Sequence, residues 1–380
     1  MRPLPISQVD LLFANGIYPI EFIFYYKNAF KTKRLRSALK KLSGPFWPLF
    51  GEYRDGALCS RRYRPEDHYA ESSLDQELDL ALIDEKGYAA YSRYQQPDLK
   101  TLFFLSVVRL KNGLLVIPKI SHLAGDGYSY FYFLSLLAAL SRAGRLPFRS
   151  FFLVRSFKPR HGRTALREFS AAGLKLSPAP PAESISVERE EIPRTEVQSL
   201  IRAAALSATQ RVSANDVLSA LAVKKFVGKL AALPGDQMGL TIPIDVRSRV
   251  KEYGRRFFGN GIWLHTLNLD RQEVEHSPAT DIARQIRKSM PLVGKETYLD
   301  YLRTIEECLF RGQMEKLRPF DPGSGCLVTN LSNLPADQLD FGSGAPDRVL
   351  PLTAERNSAA ILADKENYIL LYGYEASPPD

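Results

Sequence analysis

Apolar residues recur at helical spacing in residues 31–42, where Leu35, Ala38, Leu39 and Leu42 share one face. Thr32 is placed to cap this predicted helix, and Gly44-Pro45 to end it. The period then changes. Residues 101–109, "TLFFLSVVR", predict a strand, "KNG" at 111–113 a hairpin turn, and "LLVIPKI" the returning strand. The apolar run 131–140 predicts a buried helix. Between strand and helix stands "HLAGDG", so His122 lies just past the end of a buried strand. That position can present a side chain on a rigid scaffold.

The pattern breaks in the middle of the chain. "SPAPPAES", residues 177–184, has the composition of a linker. A second alternation follows. "SVEREEI" predicts a strand with one exposed face, and Ser213 with Asp216 a capping box opening the helix "ANDVLSALAVKKFVGKL". "GLTIPIDVRSR", "GCLVTNL" and "NYILLYGY" predict further strands. The expectation is a two-domain α/β chain, divided as 1–155, a crossover linker at 156–187, and 188–380.

Composition narrows the class. The 380 residues are 45% hydrophobic and 24% charged, enough to bury sizeable cores. The longest apolar runs fall short of a membrane span, and "MRPLPISQVD" lacks a signal peptide's apolar stretch. Cys59, Cys308 and Cys326 are too few and scattered for a disulfide framework or thiolate metal site. No metal, a cytoplasmic location and no membrane span are expected. The net charge of +9 favours an acidic partner. No nucleic-acid motif accompanies it, and the basic runs "KTKRLR" and "GRRF" read as solvated faces. An acidic small molecule or an acidic carrier protein fits the charge, and nucleic acid is not expected.

Histidine is rare here, five in the chain, and one sits in H-x-x-x-D-G as His122, Asp126 and Gly127. A second landmark is "LDFGSGAP" at 339–346. The sequence has no G-x-S-x-G elbow, no H-R-D loop and no H-E-x-x-H, which argues against a serine hydrolase, a kinase and a zinc protease. A neutral imidazole at a strand end is suited to take a proton from an alcohol or amine as it attacks a carbonyl.

Together these residues resemble the BAHD acyltransferases, within the superfamily of chloramphenicol acetyltransferases and condensation domains. That family carries H-x-x-x-D-G and, far downstream, D-F-G-W-G, matched here by His122, Asp126, Gly127 and then Asp340, Phe341, Gly342 and Gly344. "LPISQVDLLF", "VSANDVLSALA", "IPIDVRSRV" and "FFGNGI" resemble lesser family landmarks in the right order. The resemblance implies two chloramphenicol-acetyltransferase-like domains, each a mixed sheet flanked by helices, with a channel between them. It implies a cytoplasmic monomer of secondary metabolism with no permanently bound cofactor. Acyl-CoA, or an acyl carrier protein, would be the donor cosubstrate, and a small-molecule alcohol or amine the acceptor. His122 would be the general base in direct transfer through a ternary complex. A carrier-protein-dependent enzyme and a non-catalytic binding member of the same superfamily are the alternatives.

Two readings of Asp126 are open: a triad partner of His122, or a structural partner of an arginine. The resemblance implies the second, with Asp245, Arg247 and Arg249 alternating along one strand and Arg247 preferred as partner. Gly127 is expected to ease the turn into the helix. Asp340, Gly342 and Gly344 are expected to support the fold, and Thr329, at a strand end, to contact the oxyanion or the acceptor. Ser343 stands where the family has tryptophan, and Thr329-Asn330-Leu331 where plant members often read Thr-Ser-Trp. Ser121 precedes His122 where condensation domains usually show a second histidine, which favours the BAHD branch.

Overall fold

The computed structural model describes residues 3–13, 19–54, 56–86, 90–94, 102–144, 185–205, 211–229, 235–251, 253–255, 257–313, 316–352 and 355–375. The expected linker up to Glu183 and Ser184, and Arg256 of "GRRF", lie outside the described residues. The helices are α1 (Gln8–Leu11), α2 (Thr32–Ser43), α3 (Leu80–Lys86), α4 (Gly127–Ala143), α5 (Arg194–Ala203), α6 (Ala214–Lys229), α7 (Arg271–His276), α8 (Ala279–Ser289) and α9 (Lys295–Phe310). No helix among the described residues is long and apolar enough to cross a membrane.

The strands form three sheets. A small one orders β1 (Leu4–Pro5), β4 (Ala57–Cys59) and β3 (Glu52–Arg54). The second has five strands, in the order β12 (Arg348–Pro351), β2 (Pro19–Tyr26), β7 (Gly113–Ser121), β6 (Phe103–Leu110) and β5 (Tyr69–Ser73). The third has six: β10 (Ile262–Asp270), β9 (Gln237–Asp245), β11 (Gly325–Asn330), β13 (Ser358–Ala363), β14 (Asn367–Glu375) and β8 (Ile185–Pro193). Both large sheets are mixed. β5 runs parallel to β6, and β11 runs parallel to β9 and β13, while the other pairs are antiparallel.

The hairpin at Lys111-Asn112 sets the register of β6 on β7, with Leu110 opposite Gly113. β7 reads as unbroken apolar sequence because both of its faces are covered. Leu114, Val116 and Ile120 enter the core shared with α2 and α4, and Leu115 and Ile117 enter a second cluster with Ile23 and Tyr94. On α4, Tyr130, Phe131, Phe133, Leu134 and Leu137 are buried against Leu35, Leu39 and Leu42 of α2. Each such side chain contributes about 1.5–3 kcal/mol of burial. This packing fixes the helix that begins five residues after His122, just past the end of β7. In the third sheet, Val217, Ala220, Val223 and Phe226 of α6 cover Leu240, Ile242, Leu370 and Tyr372.

One local expectation needs correction. Thr32 is the first residue of α2 and does not cap it; Lys31 holds the cap position with no side-chain bond. The Thr32 hydroxyl donates to Glu71 at 2.9 Å and accepts from Arg109, so a carboxylate on the neighbouring strand outcompetes the helix end. The capping box does form: Asp216 accepts from the Ser213 amide at 2.7 Å and the Ser213 hydroxyl from the Asp216 amide at 3.4 Å. Chain order and sheet order also part company. β12 follows the D-F-G-S-G stretch, yet it pairs with β2 in the first large sheet, Arg348 opposite Tyr25 and Pro351 opposite Phe22. Leu339 and Phe341 join that sheet's core too.

Candidate functional site

β7 ends at Ser121, and His122 opens one 3-10 turn, His122–Ala124. The His122 ring stacks on Phe13, with centroids 3.7 Å apart and planes 16° from parallel. Its carbonyl accepts from the Asn260 side-chain amide at 2.8 Å, and the same amide reaches Asp10 Oδ1 at 2.8 Å. Nδ1 is enclosed with no hydrogen-bond partner among the described residues. Burial, only partly offset by the negative charge of Asp126, pushes the imidazole down to about 4. The ring is therefore neutral at ordinary pH.

Asp126 is buried and caps α4, accepting from the Ser129 amide at 3.0 Å. Arg247 meets it in two parallel bonds, Nη1 to Oδ2 at 2.8 Å and Nη2 to Oδ1 at 2.9 Å, and the Gly261 amide adds a fourth at 2.9 Å. Burial opposes the charge, but Arg247 and the two amides outweigh it and hold the carboxyl below its ordinary range. No hydrogen bond joins Asp126 to His122 among the described residues, so the triad arrangement is not formed. Arg247 was placed by sequence on a strand face with Asp245 and Arg249. Instead β9 ends at Asp245, and Arg247 belongs to the turn that follows, where Asp245 also reaches it at 3.1 Å. A turn aims the guanidinium under α4, which a continued strand would not do. The Gly259 and Phe257 carbonyls complete its shell. Gly261 needs to lack a side chain here: a Cβ would stand 2.8 Å from the Arg247 guanidinium carbon.

Gly127 has an ordinary helical start, so the expected turn strain is not its reason. A Cβ there would stand 3.4 Å from Leu331 and from Leu334, which share with Gly127 the wall of a cavity. That cavity, about 280 Å³, lies between the two large sheets. His122, Phe22 and Gly127 line it from one side, and Pro243, Leu327 and Thr329 from the other. Thr329 sits one residue before the end of β11, opposite Ala360 of β13, and its hydroxyl makes no hydrogen bond among the described residues.

Asp340, Gly342 and Gly344 stand elsewhere. The Asp340 carboxylate accepts from the Gly342 and Gly344 amides at 2.7 and 2.9 Å and pairs with Arg142 near the end of α4 at 3.0 Å. Phe341 packs on Phe30 and Tyr26. These residues do not line the cavity; they fasten its supporting helix. Sequence reasoning missed Phe13 and Glu355 at the cavity, and Asp10 and Asn260 behind His122. Asp10 lies in "LPISQVDLLF" and Asn260 in "FFGNGI", both noted as landmarks without a role, whereas the polar run around Glu355 carries no motif. Among the described residues no group of three or more His, Cys, Asp or Glu could hold a metal ion.

A family model described as "Transferase family" matches residues 86–368. No match is found among curated proteins. TRI101 of F. sporotrichioides, complexed with coenzyme A and T-2, is a similar solved structure: TM-score 0.74, 16% identity, covering 98% of this chain and 95% of that one. Vinorine synthase follows at TM-score 0.69 and 17% identity, covering 99% and 90%. The first condensation domain of the CDA synthetase gives TM-score 0.60 and 15% identity, covering 98% and 89%. At these identities the likenesses establish the fold.

Proposed function

We propose a function from one premise: the chain belongs to the Transferase family, the family to which its BAHD resemblance pointed. The reading is transfer of an acyl group from acyl-CoA to the hydroxyl or amine of a small-molecule acceptor. The observation that carries it is the neutral His122, stacked on Phe13 at a strand end and lining a cavity opposite the unengaged Thr329 hydroxyl.

In this mechanism donor thioester and acceptor meet in the cavity. The acceptor's oxygen or nitrogen attacks the thioester carbonyl carbon while its proton passes to Nε2 of His122. The carbonyl oxygen becomes an oxyanion, and the Thr329 hydroxyl donates to it. The intermediate collapses, the carbon–sulfur bond breaks, and the imidazolium returns its proton to the leaving thiolate. Ester or amide and free CoA result, with no acyl-enzyme. Asp126 does not touch the reaction. It fixes the start of α4 and thereby the turn from which His122 projects. The imidazolium formed in passing gains from the Asp126 charge nearby, the one influence that raises His122's affinity for a proton through space.

The proposed division is an N-terminal unit, 1–155, bringing His122, and a C-terminal unit, 188–380, bringing Thr329 and Arg247, with 156–187 as the crossover. The test is a screen of acyl-CoAs and charged carrier proteins with alcohols and amines, reading thiol release. His122→Ala should lower turnover by roughly 10²–10⁴-fold with melting unchanged. Turnover near wild type in the folded variant refutes the general-base role. Release only from a charged carrier protein moves the donor to that class.

A further inference from the structure

Glu355 lies just before β13 and lines the same cavity as His122 and Thr329. It differs from the other carboxyls there. Glu21 stands 3.4 Å from Lys119, and both side chains are buried. Asp126 and Asp245 share the Arg247 guanidinium. Each of these three has a cation of the protein beside it. The Glu355 carboxyl makes no hydrogen bond or ion pair among the described residues. Burial alone pushes it up to about 8, with no neighbouring charge to offset that push. The cavity wall is largely apolar and includes Ile262, Leu264, Leu327 and Ala359.

A half-buried carboxyl with no partner is disfavoured as an anion and is held toward its protonated form until a cation arrives. A cation entering an apolar cavity needs a counter-charge for the same reason. The cations beside those three carboxyls, Lys119 and Arg247, are already engaged, so among the described carboxyls of the cavity wall Glu355 is the one left to serve a ligand. Acyl-CoA brings anionic phosphates, which do not suit that place. We propose that Glu355 selects the acceptor, and that the acceptor is a small alcohol or amine carrying a second, cationic nitrogen which Glu355 receives while the nucleophile stands at His122. This rests on the acyl-transfer reading of the cavity.

The test uses matched acceptors: ω-trimethylammonio alkanols and their ω-tert-butyl isosteres over a series of chain lengths, with acetyl-CoA as donor. The two members of a pair share hydroxyl and shape and differ in charge. Wild type should favour the cation by roughly tenfold or more in kcat/KM at one chain length. In Glu355→Gln that ratio should fall to near one, and in Glu355→Asp, which keeps the charge, most of it should persist. A ratio near one in wild type, a ratio kept in Glu355→Gln, or a raised KM for acetyl-CoA in place of the acceptor overturns the proposal. Calorimetric titration of the cationic alcohol without donor separates the two readings. Near pH 7 its binding to wild type should release a proton from Glu355, seen as a heat that depends on the buffer's ionisation enthalpy, and Glu355→Gln should show none. If no acceptor turns over yet this proton release is present, acyl transfer falls and the cation site stands. If neutral alcohols turn over and no proton is released, the cation site falls and acyl transfer stands.

Discussion

Replacing Asp126 by alanine removes the hub that joins α4 to the turn after β9. The pair is enclosed: the Arg247 side chain is 1% exposed and that of Asp126 4%. The change deletes both Arg247–Asp126 bonds and leaves the Ser129 and Gly261 amides without their acceptor. Breaking a buried ion pair from one side costs about 3–5 kcal/mol. Arg247 keeps Asp245 at 3.1 Å and the Gly259 carbonyl at 2.8 Å, which pulls the loss toward the lower end, while the two orphaned amides push it back. The expected loss is ~4 kcal/mol. At about 2.1 cal/mol/K per residue, a chain of this length has an unfolding entropy of about 0.8 kcal/mol/K, so Tm should fall by ~5 °C if it melts as one unit.

Calorimetry on Asp126→Ala, Arg247→Met and the double variant checks this. The double variant should be less destabilised than the sum of the singles by ~2 kcal/mol, because both singles remove one shared interaction. Asp126→Asn should melt low as well, since it keeps the shape and drops the charge that Arg247 needs. If Asp126→Asn melts like wild type while its acyl transfer falls by orders of magnitude, the structural assignment is wrong and Asp126 acts with His122.

Gly127→Val places methyl groups against Leu331 and Leu334 in the cavity wall, and should raise acceptor KM by roughly tenfold with little change in Tm; an unchanged KM would remove Gly127 from the cavity wall. Asp340→Ala leaves two amides without their acceptor and removes a half-exposed pair, so about 1–2 kcal/mol of stability should go while activity per folded molecule holds; a 100-fold loss of activity refutes the fastening role. A base works while deprotonated, and burial holds His122 near about 4, so the acid limb of kcat/KM should lie well below the ordinary 6.5, with activity largely kept at pH 5.5. A limb centred at 6.5 contradicts the buried imidazole.

The parts of the fold that were legible are those where local pattern and final environment agree. β6 and β7 follow from their β-branched runs and the Asn-Gly turn, and α6 from its capping box. β7 to His122 to α4 follows from a strand, a polar turn and an apolar run in immediate succession. β12 was illegible because four residues, Arg348–Pro351, carry too little pattern to say which sheet they join; only the partner β2 decides it. Thr32 and Arg247 misled for a related reason. Each has a local geometry that sequence allows, a cap and a strand face; Thr32 is claimed instead by Glu71, while Arg247 makes the expected pair with Asp126 but from a turn past the strand end. Glu355 left no trace in the sequence, since what marks it is the absence of a partner, and absence is a property of the assembled cavity.

His122 and Asp10 meet at the Asn260 amide and titrate in opposite senses. Burial lowers His122 from 6.5 to about 4 and raises Asp10 from 3.8 to about 6, so each is held toward its neutral form. Between pH about 4 and 6.5 the unfolded chain binds a proton at His122 that the folded chain does not, so this residue's contribution to stability falls as pH falls. Between pH about 3.8 and 6 the folded chain holds a proton on Asp10 that the unfolded chain has released, so that contribution rises as pH falls. Each amounts to on the order of 3 kcal/mol across its window. The windows overlap from about pH 4 to 6, and the slopes cancel there. Wild type therefore shows little pH dependence from this pair, and single substitutions uncover it. Relative to wild type, His122→Ala should gain stability as pH drops from 6.5 to 4, and Asp10→Asn should lose it from 6 to 4. Urea unfolding at pH 4.5, 5.5 and 7 measures both. Variant curves running parallel to wild type across that range would mean that neither group is held neutral, and the enclosed, uncharged imidazole on which the proposed chemistry depends would have to be given up.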